Sequence, residues 1–320
     1  MNVLLVGLGR WGEKHLRVLR EMGAVVWAAD PSPARRQWAI SQGLAADRVV
    51  PDYRQALDRV EAVDVVTPAD SHREVAAAAL AAGRHCFVEK PLALTAAEGR
   101  LLGDLARAAG RVLQVGHILR FHPVTDALRA ALAEGRIGEV RFATARFAGF
   151  KRPRTDVGVT HTDGIHFFDL FAFLLGRSAT VVTAVQRDYL GRGLDDMAVT
   201  VVEYGSVTAV VETNYFVPGT WRQCVVVGER GALVADYRAG TVVLHAGEHR
   251  RRGPGWEALD HGEEALPTGG GEPLRLELEA FRDACAGRRP VPVTAADGVR
   301  ALEIVEAAAC SARDGRAVKL

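Results

Sequence analysis

The segment from Asn2 to Gly12 constrains this fold more than any other stretch. Asn2 to Val6 is a short apolar run that reads as a strand and enters Gly7-Leu8-Gly9-Arg10-Trp11-Gly12 directly. A stretch of helical character, Glu13 to Met22, follows. Strand, G-x-G-x-x-G and helix in that order form a dinucleotide-binding turn. The first glycine permits the tight turn, the second lets a pyrophosphate approach the backbone, and the third lets helix and strand pack closely. The helix N-terminus adds N–H donors and a favourable dipole. A second strand, Ala24 to Ala29, ends at Asp30, near the ~20-residue offset of a ribose-binding acid. A carboxylate there accepts from a 2′-hydroxyl and repels a 2′-phosphate, which favours NAD. Arg35 and Arg36 follow closely and keep NADP open.

The alternation continues. Ala34–Gln42 and Asp52–Val60 read as helical, Val63–Thr67 as a strand stopped by Pro68, and Ser71 as the N-cap of an alanine-rich helix from Arg73 to Ala82. His85–Val88 is a strand that runs into Glu89-Lys90-Pro91. Thr95 caps a helix over Ala96–Ala109, and Val112–Val115 is a further strand ending at Gly116-His117. Strands alternating with helices imply a doubly wound parallel sheet, whose ligands lie beyond the carboxyl ends of the strands. The glycine loop, Thr67-Pro68, Glu89-Lys90 and His117 are therefore expected around one crevice, with the Lys90 ammonium pointing into it.

The bulk composition sets outer limits. A chain of 320 residues suggests two domains, here 1–118 and 119–320. A net charge of +1 argues against nucleic acid or an anionic membrane as the main partner. Four scattered cysteines without a CxxC pair suit a reduced, cytoplasmic protein. No apolar run is long enough to span a bilayer.

After a helix over Thr125–Ala133 and a strand over Val140–Ala148 comes a polar loop holding Lys151, Arg152 and Arg154. It leads into the densest titratable cluster of the chain: His161, Asp163, His166 and Asp169. On a helix, Asp163 and Asp169 each lie three residues from His166 and share its face. A carboxylate beside an imidazole suits a proton acceptor. The same cluster offers a metal-assisted lyase or hydrolase as a rival reading, although its spacing lacks the His-x-x-x-His pair of many zinc sites, and no metal is expected. From Ala179 the pattern turns to strands, which imply an α+β domain with a large, mostly antiparallel sheet. One bare sheet face would suit a homodimer or homotetramer. Gly247–Pro273, rich in glycine, proline and charge, reads as a loop, and Pro273–Ala286 and Ala295–Arg313 as closing helices.

Several of these motifs together resemble the Gfo/Idh/MocA oxidoreductases. They are Gly7-x-Gly9-x-x-Gly12 with His15, Thr67-Pro68 with His72, Glu89-Lys90-Pro91, and Gly116-His117-x-x-Arg120-Phe121-x-Pro123. The resemblance implies a Rossmann domain, a C-terminal α+β domain with an open sheet, and pyridine-nucleotide-dependent oxidation or reduction of sugars and cyclitols. It places His72, Glu89 and His117 at the cofactor, and Lys90 beside nicotinamide and substrate hydroxyl. It adds Arg120 to the substrate residues and makes His166 the acid/base. Where the family usually has an aspartate four residues before that histidine, this chain has Thr162, with Asp163 next to it. Further spans resemble nucleotide-sugar 3-dehydrogenases acting on UDP-N-acetylglucosamine: Asp156-Val157-Gly158-Val159, Asn214-Tyr215-Phe216-x-Pro218 with Trp221-Arg222, Gly228-Glu229-Arg230-Gly231 with Asp236-Tyr237, and Glu272-Pro273-Leu274. Lys151, Arg152, Arg154 and Arg222 would then offer charge-assisted hydrogen bonds to a diphosphate or sugar carboxylate. An inositol or simple-sugar dehydrogenase and a non-enzymatic NAD sensor are the alternatives.

Overall fold

Parallel strands joined by helices build the first unit of the computed structural model, which describes residues 1–320. This unit comprises Met1–Ile118 and Leu274–Leu302, and the second comprises Leu119–Pro273 and Glu303–Leu320. The first unit runs β1 (Asn2–Val6), α1 (Arg10–Glu21), β2 (Val25–Ala29), α2 (Pro33–Ser41), β3 (Val49–Val50), β4 (Ala62–Val65), α3 (Ala69–Ala81), β5 (His85–Glu89), α4 (Ala96–Ala109) and β6 (Leu113–Gly116). The strands are all parallel, in the order β3-β2-β1-β4-β5-β6. The order reverses between β2-β1 and β1-β4, which puts the topological switch point at the carboxyl ends of β1 and β4. Strands β4 and β5 are buried along almost their whole length, as a sheet covered on both faces requires.

Two details differ from the sequence expectation. The segment before β4 is a 3-10 helix, Tyr53–Arg59, whose N-cap is Asp52 accepting from the Arg54 N–H. Helix α3 begins at Ala69 rather than after Ser71. Ser71 sits inside its first turn and donates to Pro68 O and Thr67 Oγ1, both at 2.8 Å.

The first unit is completed from the far end of the chain. Helix α7 (Pro273–Cys285) places Leu274, Leu278 and Phe281 in the same core as Leu5, Leu16 and Phe87. The rings of Phe87 and Phe281 meet edge to face at 5.7 Å. Gln114 Nε2 donates to Glu277 O at 3.1 Å, and Val115 N–H donates to Val293 O at 3.1 Å. The sequence reading assigns 119–320 to one domain, whereas Leu274–Leu302 packs with the nucleotide fold. An amphipathic helix announces an apolar face without naming the surface that will cover it.

The second unit holds α5 (Pro123–Ala133), β7 (Val140–Gly149), α6 (Ile165–Leu175), β8 (Val181–Arg187), β9 (Met197–Tyr204), β10 (Val207–Asn214), β11 (Thr220–Gly228), β12 (Gly231–Asp236), β13 (Thr241–Arg252) and β14 (Gly255–Leu266). Helix α8 (Ala295–Asp314) and β15 (Val318–Lys319) end the chain. The nine-stranded sheet has the order β14-β13-β12-β11-β7-β10-β9-β8-β15. It is antiparallel except for β7 and β10, which pair in parallel. One face is closely packed, with Ala198, Val202, Tyr204, Ala209 and Val211 buried. On the other face a β-branched row crosses seven strands in register: Thr183, Val201, Val210, Thr144, Val225, Val234 and Val243. That row is half-buried or exposed throughout.

The segment expected as a loop, Gly247–Pro273, is mostly a ribbon. Strands β13 and β14 pair from Val242–Leu266 to Arg252–Gly255, around a two-residue turn of Gly253 and Pro254. Gly253 has φ +59°, the left-handed conformation that a tight hairpin turn demands at its first central position. Beyond Glu248 the ribbon is solvated on both faces, so no alternation of apolar and polar residues marks it in the sequence.

Candidate active site

The glycine loop has the geometry of a pyrophosphate cradle. A Cβ on Gly12 would lie 2.1 Å from Gly7 O, so only glycine lets α1 approach β1 this closely. A Cβ on Gly9 would meet nothing within 4 Å, and Gly9 is the N-cap of α1 with no side chain capping its N–H groups. The loop therefore presents open space and free donors together, as a bound dinucleotide phosphate needs. Asp30 closes β2 and accepts from the Leu8 N–H at 2.8 Å and the Ser32 N–H at 2.9 Å. Arg35 donates to Leu8 O at 2.5 Å and to Glu13 Oε1 at 2.6 Å. Arg36 donates to Asp30 O and Pro31 O, both at 2.9 Å. Both guanidinium groups are thus engaged within the chain, Arg35 on the glycine loop and α1 and Arg36 on the backbone that follows β2.

Beneath that loop lies a buried network. His15, on α1, has Nδ1 2.8 Å from Asp64 Oδ2 on β4 and Nε2 3.1 Å from Glu89 Oε1 on β5. Trp11 Nε1, from the glycine loop itself, donates to the same Glu89 oxygen at 2.7 Å. Burial opposes a charge on His15, but the two carboxylates outweigh it and raise its pKa to about 10. Burial likewise works against ionised Glu89, yet the hydrogen bond and charge of His15 hold its pKa below the usual value. The imidazolium therefore fixes Glu89 as a carboxylate immediately before half-buried Lys90. His72 ties the neighbouring strand ends, with Nδ1 2.7 Å from Pro91 O and Nε2 2.9 Å from Thr67 O. His117 is buried just beyond β6. Sequence reasoning quoted His15 only as part of a motif and missed its charge.

The second unit gathers the other candidate residues around a π-helical turn, Thr160–Gly164, that precedes α6. Such turns recur at functional sites because one extra residue per turn re-aims a side chain. Asp163 lies within this turn, so the α-helical spacing that stacks a residue on His166 holds only for Asp169. Asp163 Oδ2 receives the Lys151 ammonium at 2.6 Å, and Asp169 is held bidentately by Arg120 at 2.8 and 2.5 Å. The Arg120 side chain is only 8% exposed, so this guanidinium is committed inside the protein. Thr162 donates to Gly158 O at 2.9 Å and lies 3.4 Å from Tyr215 Oη.

His166 stacks face to face on Phe147, with centroids 5.1 Å apart and planes 10° apart. The Arg222 guanidinium covers the Phe147 ring at 3.4 Å, and Lys151 Nζ lies 5.2 Å from the same ring. Burial lowers the Lys151 pKa against the pull of Asp163. Arg222 also donates to Ala148 O at 2.9 Å and Trp221 O at 2.6 Å, whereas Arg152 is exposed. Phe147, Tyr215 and Asp195 were missed as site residues. Asp195 accepts from both the N–H and the hydroxyl of Thr160, at 2.8 and 2.6 Å, and so pins the π turn. No group of three or more His, Cys, Asp or Glu side chains is arranged to hold a metal ion.

Residues 1–117 match the "Oxidoreductase family, NAD-binding Rossmann fold", and residues 129–320 match the "Oxidoreductase family, C-terminal alpha/beta domain". The chain belongs to the Gfo/Idh/MocA oxidoreductase family. This Gfo/Idh/MocA member is 30% identical to UDP-N-acetylglucosamine 3-dehydrogenase of Acidithiobacillus ferrooxidans, over 96% of this chain and 95% of that one. It is 27% identical to inositol 2-dehydrogenase of Rhizobium meliloti, over 99% of this chain and 98% of the relative. The solved structure of UDP-N-acetylglucosamine 3-dehydrogenase GnnA from A. ferrooxidans superposes with a TM-score of 0.84 at 26% identity, covering 98% of each chain. Levoglucosan dehydrogenase, solved with NADH and levoglucosan, shares the fold at a TM-score of 0.85 and 21% identity, over 100% of this chain and 99% of that one. The protein is an NAD-binding oxidoreductase.

The buried network yields a pH-dependent prediction. The folded-state pKa of His15 stands above its ordinary 6.5, so its ion pairs contribute in full below pH 6.5 and are lost as pH rises through about 10. His15→Gln leaves two carboxylates buried without their cation and should cost about 3–5 kcal/mol in urea denaturation at neutral pH. The gap between wild type and variant should narrow steadily across that alkaline window. A gap independent of pH would mean that His15 is neutral in the fold.

Proposed function

We propose that this enzyme oxidises a secondary ring hydroxyl of a nucleotide sugar, in the manner of a UDP-N-acetylglucosamine 3-dehydrogenase. The observation that carries this reading is the cation set around the stacked His166–Phe147 pair. Lys151 and Arg222 both lie against the Phe147 ring, and Arg154, bonded to Asp156 at 2.7 Å, belongs to the same polar segment as Lys151. A diphosphate or sugar carboxylate calls for charge-assisted donors of this kind, and an uncharged cyclitol does not. The relative named a UDP-N-acetylglucosamine 3-dehydrogenase, matched over nearly the whole chain, supports the same choice.

In this reading His166 accepts the proton of the reacting hydroxyl. Lys90 donates a hydrogen bond to the same oxygen and stabilises the developing alkoxide. The residues fit NAD as the cofactor, and bound NAD would supply the hydride acceptor. Lys151 pairs with Asp163 on the substrate side, and Thr162 and Tyr215 shape the turn that carries Asp163. Lys90→Met and His166→Asn should each lower kcat by about 10²-fold or more while leaving the NADH dissociation constant nearly unchanged. Full activity in either variant removes that residue from the chemistry.

The second reading, an inositol or simple-sugar dehydrogenase, rests on the inositol 2-dehydrogenase match. NAD reduction measured with UDP-N-acetylglucosamine and with myo-inositol, each with and without UDP, separates the two. A nucleotide-sugar enzyme should turn over the first substrate and be inhibited competitively by UDP. Turnover of inositol that UDP does not affect would overturn the proposal.

The β-branched row on the open sheet face supports self-association, with a second copy covering it. Light scattering should give a dimer or tetramer, and Val201→Lys with Val225→Lys should shift it towards the monomer. A monomeric wild type would rule out that assembly. The four cysteines are free thiols, which suits a reducing compartment such as the cytoplasm.

A further inference from the structure

We propose that the first unit carries a second anion site, for a phosphate-bearing small molecule, on the sheet edge opposite the glycine loop. A cavity of about 450 Å³ opens there, with Arg84, Arg111, Arg282, Arg288, His85 and Glu61 among its walls. That is the size range of small-molecule pockets. Glu61 precedes β4, His85 starts β5 and Arg111 precedes β6, so the cavity lies at the N-terminal ends of the strands. The strands are parallel, so their C-terminal ends, which carry the glycine loop and Glu89, form the other edge. Strands of five residues at about 3.3 Å each separate the two edges by roughly 16 Å.

Three of the four arginines arrive by the same local device. Each follows a glycine that ends a helix, and its N–H bonds back to the last turn. Arg84 bonds to Ala79 O at 2.9 Å, Arg111 to Ala106 O at 2.9 Å, and Arg288 to Asp283 O at 2.9 Å. The helix dipole accounts for a cation at each of these ends. It does not account for three such ends meeting over one cavity.

The local carboxylates do not neutralise the set. Asp283 pairs with Arg282 at 3.2 Å and with Arg288 at 2.5 Å. Glu61 accepts the Asn2 N–H at 2.6 Å. Arg84 and Arg111 remain, and Arg84 Nε is buried without a hydrogen-bond partner. A buried guanidinium N–H without an acceptor is costly, and a bound oxyanion would satisfy it. His85 Nδ1 accepts the Val112 N–H at 3.1 Å, which places the ring proton on Nε2 and adds a neutral donor to the wall. Paired guanidinium groups with a neutral donor match a tetrahedral phosphate better than a carboxylate, because a phosphate offers three or more oxygens to separate donors.

The test titrates the full-length protein with pyrophosphate by calorimetry while NADH saturates the dinucleotide site. Saturable binding to one site is expected. Arg84→Gln and Arg111→Gln should each weaken it by at least about tenfold, the effect of losing one hydrogen bond to a charged group. NADH affinity should stay unchanged in both. Arg111 is exposed, so R111Q gives the same reading should R84Q fail to fold. The absence of saturable binding at millimolar pyrophosphate, or equal affinity in wild type and R111Q, would overturn the proposal.

Discussion

A protonated imidazole held between two buried carboxylates sets the geometry of the nucleotide-binding unit. His15 links α1 to β4 through Asp64 and to β5 through Glu89, and Trp11 joins the glycine loop to the same Glu89 oxygen. Helix α1, which would otherwise meet the paired strands β4 and β5 mainly through apolar packing, is thereby fixed to both at hydrogen-bond precision. Apolar contact is non-directional and tolerates small sliding, whereas an ion pair in a dry interior does not, because separation leaves a buried charge uncompensated. The pyrophosphate loop and the strand end that bears Lys90 cannot drift apart without breaking this link. His72 repeats the device with backbone carbonyls, joining the strand ends at Thr67 and Pro91.

The second unit solves a related problem by different means. Its π turn has no regular helical spacing to aim side chains, so it is held from outside by Asp195 on Thr160 and from within by Thr162 on Gly158. The His166 ring is oriented by a flat aromatic surface whose other partners are cations. A guanidinium over an aromatic ring is favourable in itself, so Arg222 stabilises the platform on which the imidazole rests. Asp163 and Asp169, which the sequence offers as partners of His166, each carry a cation in the fold. Which of several nearby charges a carboxylate meets depends on side-chain paths that spacing along a helix does not contain.

The same limit runs through the comparison of sequence with structure. The alternating strands and helices up to Gly116 were legible because each element has its own apolar period and its own stop signal. Strands β8 to β12 were legible for the same reason. The β13–β14 ribbon was not, because both its faces are wet and its stability lies in backbone pairing. The parallel β7–β10 pair was hidden because it joins segments distant in sequence. The roles proposed for Lys90 and His166 rest on motifs, whereas the stacking of Phe147 on His166 came only from the fold. Buried ionisation, as at His15, needs two strands to deliver carboxylates to one ring, and no local pattern records that convergence.

The return of Leu274–Leu302 to the nucleotide fold has a consequence for how the chain is made. Domains generally fold in order as the ribosome releases them. Here the first 118 residues emerge without the helix that supplies Leu278 and Phe281 to their core, and residues 119–273 must be synthesised before it arrives. The amino-terminal unit is begun first and finished late, with eight of the nine strands of the second sheet, β7 to β14, emerging in the interval. Contacts of such long sequence separation close slowly. The core of the nucleotide fold is therefore completed only after residues 119–273 have been made.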